Sequence, residues 1–292
     1  MTANVVSLLR GVRKLHGCSQ PLLAKADDGG FYIVKFQRGN AGQHELFNEA
    51  AGNILYRAIR LPVPNWQPVR VTQKFLDRNP LADQVTATGR TTPPTGFAFA
   101  SSLIVGHQNR CLDLLPSRAI LRLRRSEMFW LAWLVDVCAF HSDNRQAVFI
   151  ESADGRIDAT FIDHGRMFGG LTGFERPKEI ASRYLDARLY PPFDVTTFGM
   201  IERLLLQFDA DACLRQVTTV PDTWVTSEAL SIFKTTLSRL AERKVWENTL
   251  NTIVAIVPRH NHPYEHEPIQ SGNAPNGGGL HPGVPAKQSW SV

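Results

Sequence analysis

Phe31-Tyr32-Ile33-Val34-Lys35-Phe36 is the stretch on which the fold turns. Its β-branched and aromatic residues predict a strand. Alternation puts Tyr32 and Val34 on one face and Ile33 and Lys35 on the other. A lysine on an apolar face lies over that surface, guards a sheet edge, or meets a counter-charge. Upstream, Leu22-Leu23-Ala24 is a second β-prone run, and Asp27-Asp28-Gly29-Gly30 between the two predicts a hairpin. Val5 to Leu9 predicts an earlier strand. Downstream the period changes. Leu46, Phe47, Ala50, Ile54, Leu55 and Ala58 recur at helical spacing from His44 to Ile59. Leu61-Pro62-Val63-Pro64 ends that helix, because proline cannot continue the hydrogen-bond ladder.

Further along, Val69 to Val71 and Phe97 to Val105 predict strands on either side of a Pro/Thr/Gly/Asp-rich loop from Arg78 to Thr95. The rest is mainly helical. Ala119 to Arg125 and the very apolar Glu127 to Phe140 read as helices, with Trp130 and Trp133 in the core. A polar turn, His141-Ser142-Asp143-Asn144-Arg145-Gln146, follows. Ala147 to Ile150 and Ala159 to Ile162 bracket Asp154-Gly155 as a hairpin, and Asp163-His164-Gly165 comes directly after. Helices are predicted over Val195 to Gln207, Ala210 to Thr218 and Ser227 to Ile256. The His-, Pro- and Gly-rich stretch from Pro258 is expected to be disordered. A small β-rich part before a larger helical part predicts an α+β fold of two lobes with a cleft between them.

Composition narrows the function classes. The 292 residues are 43% hydrophobic and 20% charged, enough for a substantial core. No apolar run is long enough to span a bilayer, so no membrane partner is expected. The N-terminus lacks the pattern of a signal peptide, which points to the cytoplasm. Cys18, Cys111, Cys138 and Cys213 are far apart and read as reduced thiols. The net charge of +5 is mild and its basic residues are interleaved with acids, so direct nucleic-acid binding is not expected. The run from Arg118 to Arg125 reads as a solvated helix face. The histidines at 260, 262, 266 and 281 lack metal-site spacing.

Four side chains carry the chemistry. Lys35 is followed by a helix in which Glu49 sits among apolar positions, where a lone carboxylate is costly. An ion pair between them would hold the lysine against nucleotide phosphates. Glu45, one turn earlier, is the competing partner. Asp143 and Asp163 each end a buried element and are joined by a hairpin, so they can converge. Phosphoryl transfer needs one carboxylate at the attacking hydroxyl and another on a metal. Singly, each is also ordinary turn chemistry. Gly17-Cys18-Ser19-Gln20-Pro21 forms a small loop able to offer backbone N–H groups to phosphate.

Read together, these motifs resemble the HipA-like kinases, in particular a compact bacterial group, over roughly residues 10 to 250. Gly17-Cys18-Ser19-Gln20-Pro21 is similar to that group's Gly-Ser-Gln-Pro segment, and Tyr32-Ile33-Val34-Lys35-Phe36 to its nucleotide-lysine strand. Asn48-Glu49 with Leu61-Pro62-Val63-Pro64 resembles its helix and terminator. Asp143-Asn144-Arg145-Gln146 resembles its Asp-x-Arg-Gln catalytic turn, and Phe161-Ile162-Asp163-His164-Gly165 its metal-binding Asp-His-Gly. Val220-Pro221-Asp222-Thr223-Trp224 resembles a late Pro-x-x-Trp landmark.

The resemblance implies a two-lobed, protein-kinase-like domain over residues 1–257, with lobes of about 1–110 and 111–257 and a polar tail over 258–292. It implies ATP and Mg²⁺ as cofactors and a serine or threonine of a protein as acceptor. Lys35 would contact the α/β-phosphates, supported by Glu49. Gly17, Ser19 and Gln20 would line the nucleotide. Asp143 would orient or deprotonate the hydroxyl, and Asp163 would chelate Mg²⁺. Phe97 to Val105 would approach the adenine. Five residues past the catalytic Asp, where a metal-binding Asn is usual, stands Val148; Gln146 would supply a neutral oxygen to the metal instead. That departure leaves a pseudokinase, a nucleotide-binding scaffold without phosphotransfer, as the alternative. A small-molecule kinase on the same fold ranks last, because no acidic pocket for a cationic substrate follows Asp163.

Overall fold

The computed structural model describes residues 5–39, 42–86, 89–105, 111–170 and 182–256. The predicted polar tail and its histidines lie outside them. The chain begins with β1 (Leu8–Lys14), β2 (Leu22–Ala26) and β3 (Phe31–Lys35), then α1 (Gly42–Ala58). β4 (Trp66–Val71), α2 (Gln73–Arg78), β5 (Gln84–Thr86), β6 (Gly89–Thr91), β7 (Gly96–Ser102) and β8 (Cys111–Leu112) follow. The second half holds α3 (Met128–Cys138), β9 (Gln146–Glu151), β10 (Ile157–Ile162), α4 (Val195–Leu206), α5 (Ala210–Val217), α6 (Ser227–Ala241) and α7 (Arg243–Ile256).

The first lobe is an antiparallel sheet in the order β1-β2-β3-β7-β4. The β2–β3 hairpin turns where the Asp/Gly cluster predicts it, pairing Leu22 with Val34. The sheet curls until its two edges meet: Ser7 bridges Arg70, and the Arg70 amide donates to the Val6 carbonyl at 2.8 Å. Leu8, Leu22, Ala24, Val34, Val69, Val71, Ala98 and Ala100 fill its interior, and Phe75, Leu76 and Ala82 close one side. The first strand runs later than Val5 to Leu9, through Arg10, Arg13 and Lys14. The stretch from Arg78 to Thr95 is not a plain loop; it contains the β5–β6 hairpin, which Gln84 and Thr91 close.

The second lobe has its own core. Phe129, Trp130, Leu131, Trp133 and Leu134 of α3 are buried against β9 and β10 and the later helices. α1 lies within the first lobe in sequence, between β3 and β4, but packs with this second core: Leu46, Phe47, Ala50, Ile54 and Leu55 all belong to it, with Phe47 meeting Phe168 and Phe233 edge-on. Leu46, Phe47, Ile54 and Leu55 each contribute about 1.5–3 kcal/mol on burial. Trp224, in the short turn after Pro221, is 1% exposed and packs in the same core.

The helix predicted over Ser227 to Ile256 is two helices. Glu242 leaves the helical region at φ −90°, ψ 105°. An unbroken helix of that length would run about 45 Å and carry Trp246, Leu250 and Ile253 past the core. The break returns α7 to α3 and α6, and those three side chains are buried. Asp194, Asp209 and Thr226 cap α4, α5 and α6 by accepting the backbone amides of Thr197, Ala212 and Ala229. The region from Ala119 to Arg125 forms a short 3₁₀ turn, Ser117–Arg122, not an α-helix. Arg122 pairs with Glu151, and Arg124 with Asp154, so acids at the β9–β10 end balance these arginines.

Candidate functional site

Lys35 ends β3 at 9% exposure, directed at α1. Its ammonium bonds Glu49 Oε1 and, at 2.7 Å, Asp163 Oδ1. Glu49, not Glu45, is therefore its helix partner. Glu45 instead takes the Arg38 guanidinium at 2.7 Å. Gln146 Nε2 donates to the other Asp163 oxygen, Oδ2, at 2.8 Å. The structure thus brings Lys35, Glu49, Gln146 and Asp163 into one bonded cluster.

Charge explains the cluster. Burial alone would lower Lys35, but Asp163 and Glu49 hold its ammonium above the ordinary lysine value. Burial would raise Asp163, yet Lys35 keeps its carboxyl well below the usual range. Burial pushes Glu49 up to about 7, against the pull of Lys35. One cation serves two carboxylates, and the more deeply buried one gains the proton more easily.

α1 grips the Asp-His-Gly segment at several points. Glu49 Oε2 accepts the His164 amide at 3.2 Å, and Asn48 Nδ2 donates to the carbonyls of Gly165 (3.1 Å) and Gly170 (3.0 Å). Gly165 is needed for this approach: a Cβ there would stand 2.8 Å from Glu49 Oε1. Asp163 itself has φ +63°, a left-handed conformation that costs a non-glycine residue about 1–2 kcal/mol.

Asp143 is placed differently. It is exposed, its Oδ1 accepts the Asn144 amide at 2.7 Å, and among the described residues it bonds none of the other four. Its turn is nonetheless anchored to the same segment, because the Ser142 amide donates to the Arg166 carbonyl at 3.0 Å. The loop of Gly17, Ser19 and Gln20 joins β1 to β2. Gly17 and Gln20 both have positive φ, and the Gln20 amide donates to the Gly17 carbonyl at 3.0 Å. The Gln20 side chain turns to β5, donating to Val85 O at 2.7 Å and accepting from Val85 N at 2.9 Å. Its amide pins the loop. Arg38 completes the frame by bonding both Cys18 O, at 2.6 Å, and Glu45.

Val148 lies on β9 opposite Thr160, on the same face as Gln146 and Ile162. It presents a half-buried apolar surface next to the Gln146–Asp163 pair. The sequence shows Asn48 and Arg145 only as members of their motifs, and gives no role to Arg38, Asp136 or Tyr56. For Asp136 a signal existed, since it is the one charged residue of α3.

Oxygen donors are what a hard divalent cation takes, and Asp163 supplies them; Gln146 faces Asp163 through Nε2, so its carbonyl oxygen would join them only once the amide turns over. Among the described residues, no group of three His, Cys, Asp or Glu side chains could hold a metal alone.

The HipA-like kinase family profile matches residues 6–126. Among solved structures, the Helicobacter pylori proinflammatory kinase CtkA is 11% identical and superposes with a TM-score of 0.52, covering 84% of this chain and 95% of that one. A Golgi casein kinase is 10% identical with a TM-score of 0.46, covering 86% of this chain and 75% of that one. Its form with Mn/ADP bound gives 9% and 0.45, covering 87% and 75%. No curated protein matches. The fold is that of a kinase, and the resemblance read from the motifs holds: the chain is similar to the HipA-like kinases, by sequence over residues 6–126.

Proposed function

We propose that this protein is an ATP- and Mg²⁺-dependent phosphotransferase that acts on a serine or threonine hydroxyl of a protein. The observation that carries the reading is the Lys35 ammonium bonded to both Glu49 and Asp163, with Gln146 on the second Asp163 oxygen. Lys35, held by Glu49, would reach the nucleotide phosphates. Asp163 and Gln146 would hold the cation, which would neutralise charge on the transferring phosphoryl group. Exposed Asp143 would accept the proton of the attacking hydroxyl. Gly17 and Ser19 would offer the loop's backbone to the phosphates, and Val148 with Ile162 an apolar surface beside them.

A cleft between the two lobes would admit a protein substrate. No helix of the described residues is long and apolar enough to cross a membrane. The four unpaired cysteines fit the reducing cytoplasm. Val148 in place of a metal-binding Asn supports the second reading, a pseudokinase that binds nucleotide without transfer.

Labelled ATP with Mg²⁺, alone and with cell extract, separates the two. Transfer that Asp143→Ala abolishes while nucleotide binding persists supports the kinase. Tight ATP binding without transfer supports the pseudokinase, and neither binding nor transfer ends both.

A further inference from the structure

Asp136 is fully buried near the end of α3, within an otherwise uncharged sequence. Such a carboxylate must be paired. Its partner is Arg145, from the polar turn and 3% exposed. Arg145 Nε donates to Oδ2 at 2.7 Å and Nη2 to Oδ1 at 2.6 Å, a two-point fork. Tyr56 of α1 donates its hydroxyl to Asp136 Oδ1 at 2.7 Å, and its ring lies 4.9 Å from the guanidinium carbon.

The third guanidinium nitrogen points elsewhere. Nη1 donates to the Ile162 carbonyl at 2.9 Å and to the Asp163 carbonyl at 3.1 Å, and lies 3.2 Å from His164 Nδ1. These two carbonyls flank the φ and ψ angles of Asp163. A group that bonds both restrains both angles, and Asp163 has φ +63°.

We infer that Arg145 is a positioning residue for the Asp163 carboxylate. Asp136 and Tyr56 orient the guanidinium, and the guanidinium holds Asp163 in the left-handed conformation that aims its side chain at Lys35 and Gln146. The assignment rests on the kinase reading only in calling Asp163 a metal ligand. The clamp on its backbone is a separate statement.

The test uses the full chain with Arg145→Lys, which keeps the charge and loses the fork. Circular dichroism checks folding. Calorimetry with ADP, in EDTA and with Mg²⁺, then measures how much the metal tightens binding. ADP affinity in EDTA should stay near the parent's, while the gain from Mg²⁺ should fall by about 10–100-fold, as for lost outer-shell support of a ligand. A crystal structure of the variant should show Asp163 turned away from Lys35 with the Lys35–Glu49 pair intact. A folded variant with the parent's Mg²⁺ gain, or with Asp163 unmoved, overturns the assignment.

Should Arg145→Lys not fold, Tyr56→Phe takes its place. It keeps the ring under the guanidinium and removes one bond to Asp136, so the Mg²⁺ gain should fall by about 2–10-fold; an unchanged gain overturns the assignment. If the parent shows no Mg²⁺ gain, the kinase reading fails. The crystal structure of either variant then decides the clamp alone: Asp163 displaced supports it, and Asp163 unmoved overturns it.

Discussion

Gly52 of α1 leaves no room for a side chain beside His164: a Cβ on Gly52 would stand 2.5 Å from the His164 Cβ and 2.7 Å from Met167 Sδ. Glycine in a helix interior ordinarily costs about 1 kcal/mol relative to alanine, so Gly52→Ala on an open face would stabilise. Here overpacking of about 1–3 kcal/mol outweighs that gain. The urea midpoint of Gly52→Ala should fall, and a variant as stable as the parent would show that α1 and the Asp-His-Gly segment are not in this contact.

Lys35 and its two carboxylates should show strong energetic coupling. Lys35→Met leaves Glu49 buried without its cation, a change that costs about 3–5 kcal/mol. Adding Glu49→Gln should return part of that loss, with a coupling energy above about 1 kcal/mol in a double-mutant cycle. The loss should also be smaller at about pH 6 than at about pH 8. Glu49 already sits near 7, and a carboxyl whose folded value is raised favours the folded state on the acid side. Additive single and double variants in chemical denaturation would refute the buried pair.

Buried His141 makes the fold sensitive to acid. Burial, with the Arg145 charge beside it, lowers the ring from 6.5 to about 4. The unfolded chain therefore takes up a proton between those values that the folded chain refuses. Stability from this residue is full above about pH 6.5 and is lost as pH falls toward about 4, by roughly 3 kcal/mol. His141→Phe removes the titration. Its stability relative to the parent should rise by up to that amount across the window, and comparing the two cancels the opposing contribution of Glu49. A constant difference from about pH 7 to about pH 4.5 would contradict the assignment.

Gln146→Glu places a second carboxylate on Asp163, where the amide now donates at 2.8 Å. Two such charges about 4 Å apart repel by about 1–4 kcal/mol in effective dielectrics between about 80 and about 20. The melting temperature in EDTA should drop, and added Mg²⁺ should restore more stability than in the parent. Equal Mg²⁺ shifts in both proteins would argue that Gln146 does not face the cation.

Much of the site was legible because its charges sit where charges are costly. Lys35 on a mostly apolar strand and Glu49 among apolar helix positions each called for a partner, and each is the other's. The choice between Glu45 and Glu49 needed coordinates, since both lie on α1 and Arg38 decides which is free. Asp136 carried the same kind of signal as Glu49 but stood in a helix read only for its core. The β5–β6 hairpin escaped notice because Val85, Thr86, Arg90 and Thr91 are exposed and show no buried alternation. The break at Glu242 has no local cause in a good helix former; it follows from where α3 lies. The pairing of Ser7 with Arg70 is likewise a product of sheet curvature, which no short window of sequence encodes.

The two separate cores have a mechanical consequence. β3 packs its inward residues into the sheet's interior, whereas α1 and the Asp163 segment are embedded in the other core, to which Phe99 is the sheet's fully buried contribution. The Lys35 ammonium therefore spans the boundary between two bodies, like a rivet through two plates. A parting of the sheet from the helices would strain this ammonium together with the packing of Phe99 into the second core. An anion that competed for that ammonium would loosen this joint.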